Sequence, residues 1–326
     1  MTRGPPDRAM NTEQLLQLAR SASLAPSSHN TQPWKFRVAS RYADIAADRT
    51  RALPVNDPAV RELAISCGCA LMNLRLAVLG LALEPMVELF PDGIEADAFA
   101  RVELASSRTS ELDRALLDAI PERHTCRHPF RTDAVTPDLV RELDAEAVRE
   151  GGWLTVLTDS EMRRAIASLV AEGDRAQWSN AAWRRELARW MRPRLFGDGV
   201  PTPLLAMPVT RTVVRAFDLG ERMARRHQPL VEDAPVLAIL GTYGDSAADW
   251  LVAGQALQHV LLAAASRGLQ AGYLNQPLQV APLREKLTGV LGVAGFPQVL
   301  LRVGYPVRPL RAAPRRRMSD VVKVLT

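Results

Sequence analysis

Two short segments hold the residues of this chain whose types and spacing could do chemistry. Arg123-His124-Thr125-Cys126-Arg127 sets two guanidiniums four residues apart with a hydroxyl between them. Such a set can surround one dianion, because charge-assisted forks to phosphate oxygens are strong and directional. A solvated turn with surface ion pairs would use the same letters, and spacing alone favours that use. Ser27, Ser28, Asn30 and Gln32 share one loop between Pro26 and Pro33. They offer donors and acceptors suited to the edge of a polar heterocycle, although capping and turn formation draw on the same residue types.

Other common engines are missing. The chain contains no G-x-x-x-x-G-K-[ST], H-E-x-x-H or G-x-S-x-G, so nucleotide hydrolysis, zinc hydrolysis and esterase chemistry lose their usual support. Gly289, Gly292 and Gly295 have the wrong spacing for a dinucleotide fingerprint and lie near the end of the chain. Of the five histidines only His124 and His128 approach a ligand spacing, and they lack a third partner, so no metal site is expected.

The elements that must position these segments belong to an ordinary globular chain. Its 326 residues are 47% hydrophobic and 24% charged with a mean hydropathy of −0.07, which excludes disorder, collagen and coiled coil and suits one large or two modest domains. The longest apolar stretch, residues 67 to 90, is interrupted by Asn73, Arg75 and Glu84, short of the ~20 uninterrupted apolar residues that cross a bilayer. No membrane association is expected. Residues 1 to 10 lack an apolar signal core and read as a disordered leader. Three cysteines, Cys67, Cys69 and Cys126, without a C-x-x-C pair, fit a reducing cytoplasm. The charge of +5 is carried almost wholly by arginine, since only Lys35, Lys286 and Lys323 are lysines. The basic runs at residues 184–194, 222–227 and 315–317 would bind nucleic acid only with a groove of cations and exposed aromatics, and no nucleic-acid partner is expected.

Periodicity predicts a helix over residues 11–24, strands at 34–38 and 42–48, and a long helix over 60–81, apolar on nearly every side. A strand at 83–90, helices at 111–120 and 136–150 and a strand at 153–158 follow. One or two helices over 160–194 carry Trp178, Trp183 and Trp190. An irregular connection at 197–208 and a basic helix at 211–227 come next, then a strand at 234–243, a helix at 246–267 and a strand at 299–305. One internal similarity matters. Residues 68–77 align without gaps on residues 254–263, with Gly, Ala, Leu, Leu and Ala coinciding, as a duplicated unit would show.

Taken together, Ala25-Pro26-Ser27-Ser28-His29-Asn30-Thr31-Gln32-Pro33-Trp34-Lys35-Phe36 resembles the A-P-S-x-x-N-x-Q-P-W-x-F signature of FMN-dependent nitroreductases. Arg123-His124-Thr125-Cys126-Arg127 resembles that superfamily's R-[RH]-[ST]-x-R phosphate motif, here after the A-P-S loop rather than before it. This inverted order is similar to the Acg-type actinobacterial proteins, in which two nitroreductase-like halves are fused. Asp57-Pro58, Arg61-Glu62-Leu63, Ile65-Ser66-Cys67-Gly68, Leu274-Asn275-Gln276-Pro277 and residues 295 to 305 extend the resemblance over nearly the whole chain from Asn11.

The resemblance implies an α+β nitroreductase-like fold: a fused pseudo-dimer of two halves with antiparallel-rich sheets, central apolar helices and a helical lid insertion. The halves are expected at residues 11–120 and 121–326, with the lid at about 177–229 and its tryptophans packed over the cofactor pocket or, equally, as a plain helical hairpin on the sheet. Arg123, Thr125 and Arg127 would hold the FMN phosphate, helped by Arg315 or Arg316. Ser27, Ser28, Asn30 and Gln32 would flank the flavin ring. NAD(P)H would reduce FMN, which would pass electrons to a small-molecule acceptor such as a nitroaromatic or quinone, with no side chain required as catalyst. The alternative is a flavin-sequestering stress protein with an occluded FMN and little turnover. A monomer acting as its own pseudo-dimer is expected, with a homodimer as the other assembly.

Overall fold

A computed structural model describes residues 10–106 and 114–325. The expected leader therefore lies outside the described residues except for Met10, which packs on the core. The start of the helix expected from residue 111 lies outside them too.

The first part of the chain runs α1 (Thr12–Ser23), β1 (Trp34–Val38), β2 (Tyr42–Ala47), α2 (Arg61–Leu79), β3 (Leu83–Leu89) and β4 (Ala98–Ser106). After α3 (Arg114–Ala119) come α4 (Pro137–Arg149) and β5 (Trp153–Val156). A long excursion follows: α5 (Ser160–Ser179), α6 (Ala181–Trp190), β6 (Met191–Arg192), β7 (Val200–Pro201), α7 (Met207–Ala216) and α8 (Gly220–Glu232). The chain then returns through β8 (Val236–Thr242), α9 (Ala247–Ser266), β9 (Gln270–Tyr273), α10 (Gln276–Gln279), α11 (Ala281–Leu291) and β10 (Phe296–Gly304). It ends in α12 (Met318–Val321) and β11 (Val322–Val324).

Two main sheets share one topology. The first has the order β11-β1-β2-β4-β3 and the second β5-β8-β10-β9. In each, the central helix, α2 or α9, joins the second strand to the third, and the pairings between these four strands are antiparallel. β11 alone adds in parallel, placing Val322 opposite Phe36, so the end of the chain completes the sheet begun at its start.

The all-round apolarity of α2 and α9 follows from where they lie: both are buried on nearly every side between the sheets. Arg61–Leu79 is long and apolar enough by length and composition to cross a membrane, and here that surface is enclosed by protein. The glycines of the two aligned segments meet. A Cβ on Gly68 would lie 2.9 Å from Gly254 Cα, and one on Gly254 would lie 2.7 Å from Gly68 Cα. Corresponding positions thus touch each other, as they do where like elements cross a twofold axis. Polar groups caught in this contact pair across it, with Gln258 Nε2 donating to Asn73 Oδ1 at 2.7 Å and Arg75 to Gln255 Oε1 at 2.9 Å. Each such bond matters, because an unpaired buried amide group costs about 1–3 kcal/mol, and Gln258 Oε1 on the same side chain is left buried without a partner.

The spacing predicted one helix over residues 211–227, but the chain breaks between α7 and α8. Asp218 Oδ1 accepts from Gly220 N at 2.8 Å and starts a new helix, while Gly220 lies so close to Arg175 that a Cβ there would be 2.9 Å from its Cα. Packing against α5, which no periodicity encodes, sets this break.

Candidate functional site

The loop at residues 26–33 is held in an unusual backbone. His29, Asn30 and Gln32 have φ of 52°, 54° and 50°, a left-handed conformation that side chains disfavour. Local bonds maintain it: Asn30 N donates to Ser27 O at 2.9 Å and Gln32 N to Ser27 Oγ at 2.9 Å. Ser28 Oγ donates to Glu62 Oε2 at 2.6 Å, which ties the loop to the first turn of α2.

Arg123-His124-Thr125-Cys126-Arg127 follows α3 and runs alongside β9. His124 N donates to Gln270 Oε1 at 2.7 Å, Cys126 N to Ala271 O at 2.7 Å, and Thr125 bridges Ala271 in parallel. Arg302 braces this segment by donating to Cys126 O at 3.0 Å and His128 O at 2.9 Å.

Between loop and arginine segment lies a cavity of about 490 Å³, also bounded by the start of α2, the end of β9, the inner faces of α5, α6 and α8, and the tail before α12. Ser27, Ser28, Asn30, Arg123, Thr125, Arg127 and Arg315 line it. Gln32 and Arg316 are not part of its wall. Gln32 donates to Gly197 O at 2.8 Å and accepts from Arg316 N at 2.9 Å, and the Arg316 guanidinium lies 3.4 Å from Asp48. Asn30 also reaches away from the cavity, with Nδ2 donating to Gly199 O at 3.3 Å and Pro314 O at 3.1 Å. Asn30 and Gln32 therefore fasten the loop to the connection after α6 and to the tail.

The cavity is strongly electropositive. Arg123 is buried, donates one bond to Leu24 O at 3.2 Å, and leaves Nε and Nη1 without partners. Arg315 donates to Leu24 O at 2.8 Å and Ala25 O at 3.2 Å, also leaving Nε free. Both guanidiniums thus dock on carbonyls at the C-terminal end of α1, the negative pole of a helix. Among the described residues no carboxylate forms an ion pair with Arg123, Arg127, Arg302 or Arg315. Burial pushes the Arg123 guanidinium down, and burial together with Arg123 pushes Arg315 down to about 9. Tyr273 Oη is buried without a partner, and its phenol is pushed up by burial against the pull of Arg123.

The other walls differ. Trp178 and Trp183 meet edge to face, their ring centroids 5.5 Å apart, and Leu187, Met223 and Leu230 extend this apolar surface. Trp190 is not in the cavity wall; Arg51 and Arg192 cover its ring at 5.0 Å each. Glu62 is buried, accepts from Ser28, Asn56 and Gln279, and is pushed up by burial. Burial pushes the Cys69 thiol up to about 12, which keeps it protonated and unreactive. Among the described residues no group of three or more His, Cys, Asp or Glu side chains is placed to hold a metal.

His29, within the strained loop, is pushed from 6.5 down to about 4 by burial and then by Arg127. The sign follows. Above 6.5 the residue is neutral in both states, and as pH falls toward 4 only the unfolded chain takes up the proton. Stability is therefore lost on acidification, by about 3 kcal/mol from this group across the window. His29→Asn, which tolerates the positive φ, is expected to flatten the fall of the urea midpoint between those pH values. An unchanged slope would assign the loss to other groups.

The Nitroreductase family model matches residues 120–305, which is more than half of the chain. A Mycobacterium tuberculosis protein provisionally named an NAD(P)H nitroreductase is 32% identical over 327 residues, 97% of this chain and 94% of its own. The chain belongs to the nitroreductase family. A second M. tuberculosis relative, provisionally named the NAD(P)H nitroreductase acg, is 27% identical over 98% of each chain. Among solved structures, nitroreductase A from Vibrio parahaemolyticus aligns with 62% of this chain and 72% of its own at 13% identity, with a TM-score of 0.40. Sequence reasoning about this nitroreductase-family chain passed over Tyr273, Glu62 and Arg302. Glu62 lies within Arg61-Glu62-Leu63 and Tyr273 directly before Leu274-Asn275-Gln276-Pro277, so both had a signal in the resemblance, whereas Arg302 reaches the site only through packing.

Proposed function

We propose that the protein is an FMN-dependent oxidoreductase that takes electrons from NAD(P)H and passes them to a nitroaromatic, quinone or similar small acceptor. The observation that carries this reading is the set of unpartnered buried donors on one cavity wall: Arg123 Nε and Nη1, Arg315 Nε and Tyr273 Oη. Buried polar groups are ordinarily satisfied, so donors of this kind without a carboxylate partner fit a bound dianion. Arg123, Thr125, Arg127 and Arg315, with Tyr273, would hold the phosphate, and Ser27 and Ser28 would face the ring. When bound, FMN supplies two-electron chemistry, accepting and returning hydride.

The chain's own residues position and enclose. Glu62 accepts from Ser28 and fixes the hydroxyl's direction, and the tryptophans of α5 and α6 exclude water from the apolar wall. We read the protein as two fused halves, residues 11–120 and 121–326, with the excursion at about 177–229 as a lid, working in the cytoplasm as a monomer.

A second reading, a flavin-holding stress protein with little turnover, is favoured by how the lid is fastened. Glu186 accepts from Val55 N at 3.0 Å and Asn56 N at 2.8 Å, and Trp183 Nε1 donates to Asn56 Oδ1 at 2.9 Å. The visible spectrum of the purified protein, followed anaerobically on addition of NADPH and then NADH, tests both. Rapid bleaching of a flavin spectrum supports the reductase and a spectrum that stays yellow supports the store. A colourless protein that takes up no FMN refutes both.

A further inference from the structure

The lid brings a second set of groups to the cavity, far apart in sequence. Asp174 on α5 is only 2% exposed. Its Oδ2 lies 2.8 Å from His227 Nδ1 on α8, and its Oδ1 accepts from Gln276 Nε2, at the start of α10, at 3.2 Å. Gln276 Nε2 also lies 3.0 Å from His227 Nδ1, and Gln276 Oε1 is buried without a partner. A carboxylate against Nδ1 makes that nitrogen the donor and fixes the ring's tautomer and orientation. His227 Nε2 then has no partner among the described residues, and the ring lines the cavity beside the apolar wall of Trp178, Met223 and Leu230.

Among the described residues Asp174 from α5 lies against this imidazole, and Arg226, its neighbour on α8, also lines the cavity. Arg226 supplies charge and hydrogen-bond donors there and no acceptor. His29 and His124 stand on the loop and the arginine segment. His227 is the histidine that the lid offers to whatever lies against its apolar wall.

We propose that His227, oriented by Asp174, is the acid that protonates the electron acceptor. This rests on the oxidoreductase reading above. A quinone that takes up a hydride from the reduced cofactor needs one further proton to become the hydroquinone. A nitro group that takes up the same hydride and one proton breaks an N–O bond and leaves as nitroso compound and water. In each case the proton comes from His227 Nε2, and the neutral imidazole regains it from solvent, which reaches the side chain's 19% exposed surface. Asp174 is a positioning residue that stabilises the charged ring, and the buried Gln276 amide holds the carboxylate in place.

The test uses flavin-loaded protein reduced anaerobically and then mixed rapidly with p-benzoquinone or with ferricyanide, which takes an electron and no proton. His227→Gln is expected to slow reoxidation by benzoquinone about 100-fold, while ferricyanide reoxidises it at the wild-type rate. The wild-type benzoquinone rate falls as pH rises through a single group, and the His227 ring signal titrates with that limb by NMR. The variant lacks the limb. Asp174→Asn keeps the shape of the site and is expected to show a smaller loss, with the limb moved to lower pH. Equal slowing with both oxidants, or an unchanged benzoquinone rate in His227→Gln, overturns the proposal. A wild-type flavin that NADPH and NADH both fail to bleach overturns the oxidoreductase reading itself, and this proposal with it.

Discussion

Arg123→Met will empty the protein of FMN and at the same time make the flavin-free chain more stable. The two effects have one cause. Arg123 is buried beside Arg315 with two nitrogens unpartnered and no carboxylate to neutralise it. In the flavin-free protein that is a buried cation held at a cost, and an unpaired buried charge costs several kcal/mol. Methionine fills much of the same volume without charge, so the melting temperature of the flavin-free variant should rise. It should rise further because Arg315, which Arg123 pushes down, is relieved as well.

For the cofactor the sign reverses. Hydrogen bonds to charged groups are worth about 1.5–3 kcal/mol each. Losing two weakens FMN binding by at least about 100-fold, at about 1.4 kcal/mol for each factor of ten. Fluorescence titration with FMN and thermal melting of the stripped protein measure the two halves separately. A variant that purifies with full flavin occupancy would move the phosphate site elsewhere.

Gly254→Ala should destabilise the folded protein strongly. A Cβ at that position would stand 2.1 Å from Ile65 O, 2.7 Å from Gly68 Cα and 2.9 Å from Cys69 N. All three obstacles are backbone atoms of α2, so no rotamer change relieves them and the two central helices must separate. Overpacking costs about 1–3 kcal/mol where side chains can yield. Here the loss is expected at about 3 kcal/mol or more, a large part of a typical domain's stability of about 5–15 kcal/mol. Gly289→Ala, on the exposed face of α11 where nothing lies within 4 Å, provides the control and should gain up to about 1 kcal/mol. Urea midpoints compare the two. An unchanged midpoint in Gly254→Ala would show that α2 and α9 can part without loss.

What the amino-acid sequence determined by itself is local. Apolar residues on every side of segments 60–81 and 246–267 require full burial whatever surrounds them, so the two central helices could be read directly. The similarity of residues 68–77 and 254–263 marked the place where α2 and α9 cross. Both segments with chemical potential were visible from residue type and spacing, and Ser27, Ser28, Arg123, Thr125, Arg127 and Arg315 all line one cavity.

Tertiary structure decided the rest, because direction and distant proximity are not encoded in spacing. Gln32 and Arg316 carry the residue types of a binding site, yet Gln32 hydrogen-bonds to the Gly197 carbonyl and the Arg316 amide, and Arg316 faces Asp48. Trp190 shares a helix with Trp183 but turns to Arg51 and Arg192. The apolar tail after residue 317 became a strand only because the edge of β1 stood open to receive it. Asp174, His227 and Gln276 lie on three elements separated by about fifty residues each, and only the folding of the excursion over the cavity brings a carboxylate, an imidazole and an amide within hydrogen-bonding distance.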